Sequence, residues 1–232
     1  MTKLVKKSIA QMIFVMILVF VLFSFRGWFF GTNLFRGFSY SLQIAVEYIL
    51  WLDILIPIYL LMRRDKESLN DLGFTKEKLP IQVLIGVLIG LITSFGLSGT
   101  VSLLGQRLYL FGEVESVGYI PQAGILALRF FKTIILTGLV EEIIFRGYLY
   151  KKMLDIKNAK WLAIAVTSVL FGLMHIINGP YLAGIISPMV FGVIYAICRA
   201  YLKNCSLTTL ILAHGIHNVL NGAIVFGIMD LF

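Results

Sequence analysis

The sequence contains few charged residues, few prolines and few cysteines. Only 14% of the 232 residues are charged and 59% are hydrophobic, whereas an ordinary soluble domain is about 25% charged. Such a chain cannot bury its apolar side chains in one water-soluble core, and the composition also excludes a disordered chain, a collagen-like repeat and a disulfide scaffold. The two cysteines, Cys198 and Cys205, match no metal-binding spacing and are predicted to be free thiols.

The remaining class is an all-α polytopic membrane protein, and long apolar runs mark about seven transmembrane helices. A bilayer core is crossed by about 20 apolar residues in a helix. The runs cover about 9–25, 41–61, 81–104, 126–150, 161–177, 182–201 and 207–229. Residues 63–80 and 106–122 are predicted to be loops between spans. We find no internal repeat.

The distribution of basic residues predicts the orientation of these helices. The net charge is +8, and in a soluble protein this excess would suggest a nucleic-acid partner. Here most Lys and Arg residues fall in the loops that lie on one side of the membrane when the N-terminus is inside. Because positive loops stay in the cytoplasm, we expect an N-in, C-out, multi-pass protein of the cell membrane that does not bind nucleic acid.

Polar side chains inside the later spans are the candidate functional residues. An ionisable group in hydrocarbon costs at least about 2.5–3.5 kcal/mol, so its presence indicates a function. The outliers lie in the fourth, fifth and seventh predicted helices: Glu141, Glu142, Arg146, His175, His214 and Asn218.

Spacing separates the two neighbouring carboxylates of the fourth helix. Glu142 and Arg146 are four residues apart, so they share a helix face and are predicted to pair. Glu141 is turned about 100° away from that face. A carboxylate left without such a partner in a low-dielectric site suits general acid–base catalysis. The alternative is a structural Glu–Arg pair, with Glu141 hydrogen-bonded to another helix.

The fifth helix places an aromatic ring one turn before its histidine. Phe171 and His175 are four apart, so the ring is expected to pack beside the imidazole and fix its rotamer. At about 1.5 Å per residue, Glu141 lies about 14 Å and His175 about 21 Å from the inner end of its helix. These depths overlap in the inner to middle part of the bilayer core, so the groups could line one pocket.

The seventh helix carries a second histidine with an amide four residues later. His214 and Asn218 share a face and could donate hydrogen bonds to a developing oxyanion. Gly215 is predicted to allow close helix approach, while His217 lies off that face and is interpreted as a packing residue. Two further outliers, Glu47 and Asp53 in the second span, leave open a proton relay that includes Glu141, as in a small transporter. Asp53 is expected to face the polar cavity.

Three short motifs resemble those of a known family. The segment from Glu141 to Arg146 is similar to an EExxxR motif, Phe171 to His175 to an FxxxH motif, and His214 to Asn218 to an HxxxN motif. Together and in this order they resemble the CAAX protease and bacteriocin-processing (CPBP, or Abi) family. The resemblance covers roughly 122–226. It divides the chain into transmembrane helices one to three, residues 1–121, and a catalytic core of helices four to seven, residues 122–232.

The resemblance implies an intramembrane endopeptidase with assigned residue roles. Glu141 with His175 would activate a water, His214 and Asn218 would stabilise the oxyanion, and the Glu142–Arg146 pair would hold Glu141 in place, with Phe171 supporting His175. No cofactor is required in this interpretation. The alternative is a zinc ion bound by Glu141, His175 and His214, although the chain has no HExxH motif.

The resemblance also implies the kind of substrate and partner. The composition is typical of a bacterial member, for which the expected substrate is a small peptide or a membrane protein, with a role in bacteriocin self-immunity or peptide-signal processing. The competing hypothesis is a non-catalytic immunity or adaptor protein of the same fold that binds a sensor kinase or a bacteriocin peptide.

Overall fold

The computed structural model describes residues 2–98, 131–178 and 182–227. Throughout these ranges the ordered elements are helices and none is a strand, which confirms the predicted all-α membrane fold. The predicted loop 106–122 and the proposed boundary at residue 121 lie outside the described residues. Neither Cys198 nor Cys205 is in a disulfide bond.

The α-helices are numbered in chain order. They are α1 (Lys3–Phe30), α2 (Asn33–Arg36), α3 (Tyr40–Leu52), α4 (Leu55–Asp65), α5 (Leu79–Leu91), α6 (Leu139–Glu142), α7 (Tyr150–Ile156), α8 (Lys160–Met174), α9 (Leu182–Tyr201) and α10 (Leu207–Gly227). Other helical segments adjoin these α-helices. Three are π-helical, Ile92–Ser98, Thr133–Gly138 and Ile143–Leu149, and one is a 3₁₀ turn, His175–Asn178.

The described residues include four stretches long and apolar enough to cross a membrane. They are Lys3–Phe30, Ser41–Asp65, Leu79–Gly96 and Gly184–Tyr201, and two shorter apolar helices are Lys160–Met174 and Leu207–Leu220. These segments coincide with six of the seven predicted spans, whereas the fourth predicted span is divided among α-helical and π-helical turns. The total number of spans and their orientation stay predictions.

The second predicted span is two helices rather than one. Helix α3 ends at Leu52 and α4 begins at Leu55. Proline at position 57 has no N–H to donate to the carbonyl of Asp53 four residues earlier. The N–H of Ile56 instead donates to Asp53 at 3.1 Å, which closes a tighter turn. The proline therefore explains the interruption, which an unbroken apolar run concealed.

The first compact unit comprises Met1–Phe74 and Val140–Leu202. Its most extensive packing is between α8 and α9, and α1 packs on α7. Lys152 of α7 is buried, and its Nζ contacts the carboxylates of Asp65 at 3.0 Å and Glu67 at 2.7 Å. A buried charge is tolerated when it is paired in this way.

The second compact unit comprises Thr75–Leu139 and Lys203–Phe232. Within it α10 packs on α5 and on the π-helical segment Thr133–Gly138. Glycines permit this approach: a Cβ at Gly86 would lie 2.8 Å from the carbonyl oxygen of Thr209, and a Cβ at Gly90 would lie 2.9 Å from that of Ala213. Small residues let membrane helices pack closely in this manner.

Candidate active site

The two neighbouring glutamates lie in one α-helical turn between two π-helical segments. Helix α6 has only four residues, and π-helical turns precede it at Thr133–Gly138 and follow it at Ile143–Leu149. Both Glu141 and Glu142 are buried. Because π-helical turns are rare and occur frequently at functional sites, this backbone is a second indication, independent of residue type, that α6 belongs to a functional site.

Glu142 and Arg146 form the predicted ion pair. Nη1 of Arg146 donates to Oε1 of Glu142 at 3.0 Å, and the two side chains are 0% and 1% exposed. In such a dry environment the charges attract strongly, but each also loses its hydration. The pair therefore holds α6 against the turn that follows it, and removing either partner would leave a charge buried.

Aromatic rings enclose the guanidinium of Arg146. Its Cζ lies 4.1 Å from the ring centroid of Phe171 on α8. The ring of Phe145 meets Phe171 edge-on, with centroids 5.0 Å apart. A cation over an aromatic face gains electrostatic energy, and the gain is larger when the site excludes water. Phe171 thus links the ion pair of the fourth predicted helix to the histidine of the fifth.

His175 has a defined ring orientation. It follows the last residue of α8 and begins the 3₁₀ turn. Its ring packs edge-on against Phe171, with centroids 4.9 Å apart and planes at 73°, which confirms the packing predicted from the spacing. Nδ1 lies 2.8 Å from the carbonyl oxygen of Phe171. Because a carbonyl only accepts, Nδ1 is the donor in this contact, and Nε2 is the ring nitrogen that the contact does not use.

His214, His217 and Asn218 lie on α10, in the second compact unit. Both histidines are buried. A Cβ at Gly215 would lie 2.9 Å from Cα of Ile134, which confirms that this glycine allows close helix approach. The oxyanion role of His214 and Asn218 and the packing role of His217 stay predictions.

The structure therefore brings together part of the predicted site. Glu142, Arg146, Phe171 and His175 form a connected cluster within the first unit. Among the described residues, no three His, Cys, Asp or Glu side chains are grouped as a metal ion would require. The zinc alternative, like the absence of any cofactor requirement, stays a prediction.

Asp53, which is expected to face a polar cavity, pairs with a basic residue of α1. Its Oδ1 accepts a hydrogen bond from Nη2 of Arg26, and the two form an ion pair. The guanidinium of Arg26 is buried and lies 4.7 Å from the ring centroid of Phe23 and 5.3 Å from that of Trp51. Partners 27 residues apart leave no periodic signal, so the sequence does not predict this pair. The proton relay through this carboxylate stays an alternative.

Comparison of the sequence with protein-family models gives one match. Residues 123–220 match the family model described as Rce1-like, type II CAAX prenyl endopeptidase Rce1-like. Comparisons with curated proteins and with solved structures find no match. The matched segment contains all three motifs, from Glu141 to Asn218.

Proposed function

Because residues 123–220 match the model of the Rce1-like family of CAAX prenyl endopeptidases, we propose that the protein is an intramembrane endopeptidase. It would hydrolyse a peptide bond in a small peptide or in the end of a membrane protein. The observation that supports this proposal best is the orientation of His175, whose Nδ1 contacts a backbone carbonyl at 2.8 Å, so that Nε2 is the nitrogen available to hydrogen-bond a water.

The proposed reaction begins with a water activated between Glu141 and His175. The Glu141 carboxylate takes a proton as the water oxygen attacks the scissile carbonyl, and the carbonyl π-electrons move onto oxygen. His214 and Asn218 would donate hydrogen bonds to this oxyanion. Collapse of the tetrahedral intermediate breaks the C–N bond, and the proton that Glu141 took from the water passes to the leaving amine.

Arg146 determines which of the adjacent glutamates can act as the base. It neutralises Glu142 at 3.0 Å, and this neutralisation leaves Glu141 as the carboxylate assigned to proton transfer. In a site that excludes water, the charges around a catalytic base set its proton affinity. If a zinc ion is bound instead, it would activate the same water by lowering its pKa, and Glu141, His175 and His214 would hold the ion.

The proposed substrate is an apolar peptide segment, because it must reach its site from the bilayer. A function in bacteriocin self-immunity or peptide-signal processing is the corresponding physiological proposal. An adaptor of the same fold that binds a sensor kinase would need the surface of the protein but not the chemistry of Glu141.

The test compares wild type with Glu141→Gln in cells that express them equally. Membrane and secreted peptides are analysed by mass spectrometry, and peptide ends produced only by wild type would identify the substrate. Glu47→Gln is the matched control, because it also neutralises a carboxylate in an apolar helix, α3. Identical peptide ends in all three strains would refute the peptidase. Loss of the wild-type peptide ends with Glu47→Gln as well as with Glu141→Gln would overturn the specific assignment of the base to Glu141.

Purified protein in detergent then separates the glutamate mechanism from the zinc mechanism. Cleavage that persists after treatment with a chelator, with no metal detected by elemental analysis, supports glutamate-activated water. Loss on chelation and recovery on addition of zinc would overturn that mechanism while leaving the peptidase proposal intact.

A further inference from the structure

Helix α9 carries none of the three motifs, yet it contacts Arg146 at two places. The ring centroid of Tyr195 lies 5.7 Å from Cζ of Arg146, and Tyr195 is 1% exposed. One turn earlier, an ideal Cβ at Gly192 would lie 3.3 Å from Nη2 of Arg146. The guanidinium is therefore bordered by α9 as well as by Glu142 and Phe171.

The space beside Gly192 is too narrow for a side chain. The same ideal Cβ would lie 3.1 Å from Cα and 3.2 Å from Cβ of Ser168 on α8. These separations are shorter than ordinary van der Waals contact, so a methyl group would force a neighbour to move. Ser168 is buried where α8 packs closely on α9, so relief of its contact would need the two helices to separate slightly. The guanidinium of Arg146 ends a flexible side chain, so it would also shift away from the added methyl group.

The ring of Tyr195 restricts the position of the Arg146 guanidinium from a second side. An aromatic ring within about 6 Å of a guanidinium attracts it, and the buried ring also excludes water from the ion pair. At 5.7 Å the ring of Tyr195 is farther from Cζ than the ring of Phe171, which lies at 4.1 Å. Tyr195 therefore supports a position that Phe171 and Glu142 mainly determine.

We propose that Gly192 and Tyr195 are positioning residues for the peptidase reaction, an inference that rests on the proposed function. Both act through Arg146. A guanidinium displaced from Gly192 would draw Glu142 with it, because the two are joined at 3.0 Å. Glu142 follows Glu141 directly in the four-residue helix α6, so the displacement would reorient the carboxylate that activates water.

The experiment measures kcat and KM of five variants. The substrate is the peptide whose cleaved ends are produced only by wild type in the mass-spectrometry test. Gly192→Ala and Gly192→Val narrow the space by increasing amounts, and Tyr195→Leu removes the ring while Tyr195→Phe keeps it. Gly184→Val on the same helix is the control, because an added Cβ there meets no atom within 4 Å. Thermal unfolding of each variant reports on folding.

We expect a loss of kcat with KM unchanged. Misplacing a catalytic group by about 1 Å can cost about 100-fold in rate, so the few tenths of an ångström forced by Gly192→Ala should lower kcat about tenfold. Gly192→Val should lower kcat further, Tyr195→Leu should lower it less, and Tyr195→Phe and Gly184→Val should retain it. If Gly192→Val does not fold, Gly192→Ala carries the test.

Two outcomes separate this inference from the proposed function. Glu141-dependent cleavage with an unchanged kcat in Gly192→Ala and Tyr195→Leu would overturn the positioning roles alone. A Tyr195→Phe variant as impaired as Tyr195→Leu would also overturn the role assigned to the ring. Cleavage that Glu141→Gln leaves intact in the same assay would overturn the proposed function itself.

Discussion

Replacing Glu142 by Gln should destabilise the first compact unit by about 3 kcal/mol. The change keeps the side-chain shape but leaves the charge of Arg146 buried, and both side chains are at most 1% exposed. Stranding one partner of a buried pair costs about 3–5 kcal/mol. The lower end of that range is expected because the ring of Phe171, 4.1 Å from Cζ, still stabilises the cation.

The matched control is an ion pair with the same i,i+4 spacing that is more exposed to solvent. Lys151 and Asp155 lie 2.9 Å apart, with side chains 18% and 25% exposed. Asp155→Asn should cost less than about 1 kcal/mol, as partly exposed i,i+4 pairs do. Lys151 also keeps Glu67 as a partner at 2.8 Å. Both variants are measured by equilibrium unfolding in mixed detergent micelles.

A second variant tests whether the cost comes from the stranded charge. Glu142→Leu combined with Arg146→Met removes both charges and should regain much of the lost stability, because apolar groups of similar volume replace buried ion pairs with little cost. Peptide cleavage should not recover, because Arg146 is also needed to position α6. Equal losses for Glu142→Gln and Asp155→Asn, or no recovery in the double variant, would refute the reasoning.

Three further predictions concern packing around the same units. Phe171→Leu should lower kcat and shift the pH–rate profile, because the ring contacts both Arg146 and His175. Profiles that coincide with wild type would contradict this. Lys152→Met should destabilise the protein by about 1–3 kcal/mol, because Asp65 keeps Lys7 and Glu67 keeps Lys151 as partners. Lys7→Met, whose side chain is 43% exposed, should cost less than about 1 kcal/mol. Unfolding midpoints compare the two. Gly215→Ala should lower the unfolding midpoint, since its methyl would meet Ile134; an unchanged midpoint would show that α10 can shift.

Local pairs were predictable from spacing alone. Glu142 with Arg146, and Phe171 with His175, are each one helical turn apart, and both contacts are present in the structure. The glycine at position 215 was likewise interpreted correctly as a point of close approach. These predictions succeeded because a single helix determines which of its own residues are neighbours, whatever surrounds it.

The backbone of the fourth predicted span was not predictable in the same way. A periodicity near 3.6 describes an α-helix, whereas Thr133–Gly138 and Ile143–Leu149 are π-helical. Such turns add a residue to the hydrogen-bonded ring and arise from the packing of particular side chains. The break between α3 and α4 did have a local signal, the proline at position 57.

The sequence by itself determined the helical membrane class, the positions of most spans and the contacts within each helix. Composition and periodicity suffice for these, because apolar runs and i,i+4 spacing act locally. Only the tertiary structure decided that Arg26 pairs with Asp53, that Lys152 meets Asp65, and that Gly192 borders Arg146. The physical reason is that the register between two packed helices depends on side-chain interdigitation along both surfaces, which neither segment encodes alone.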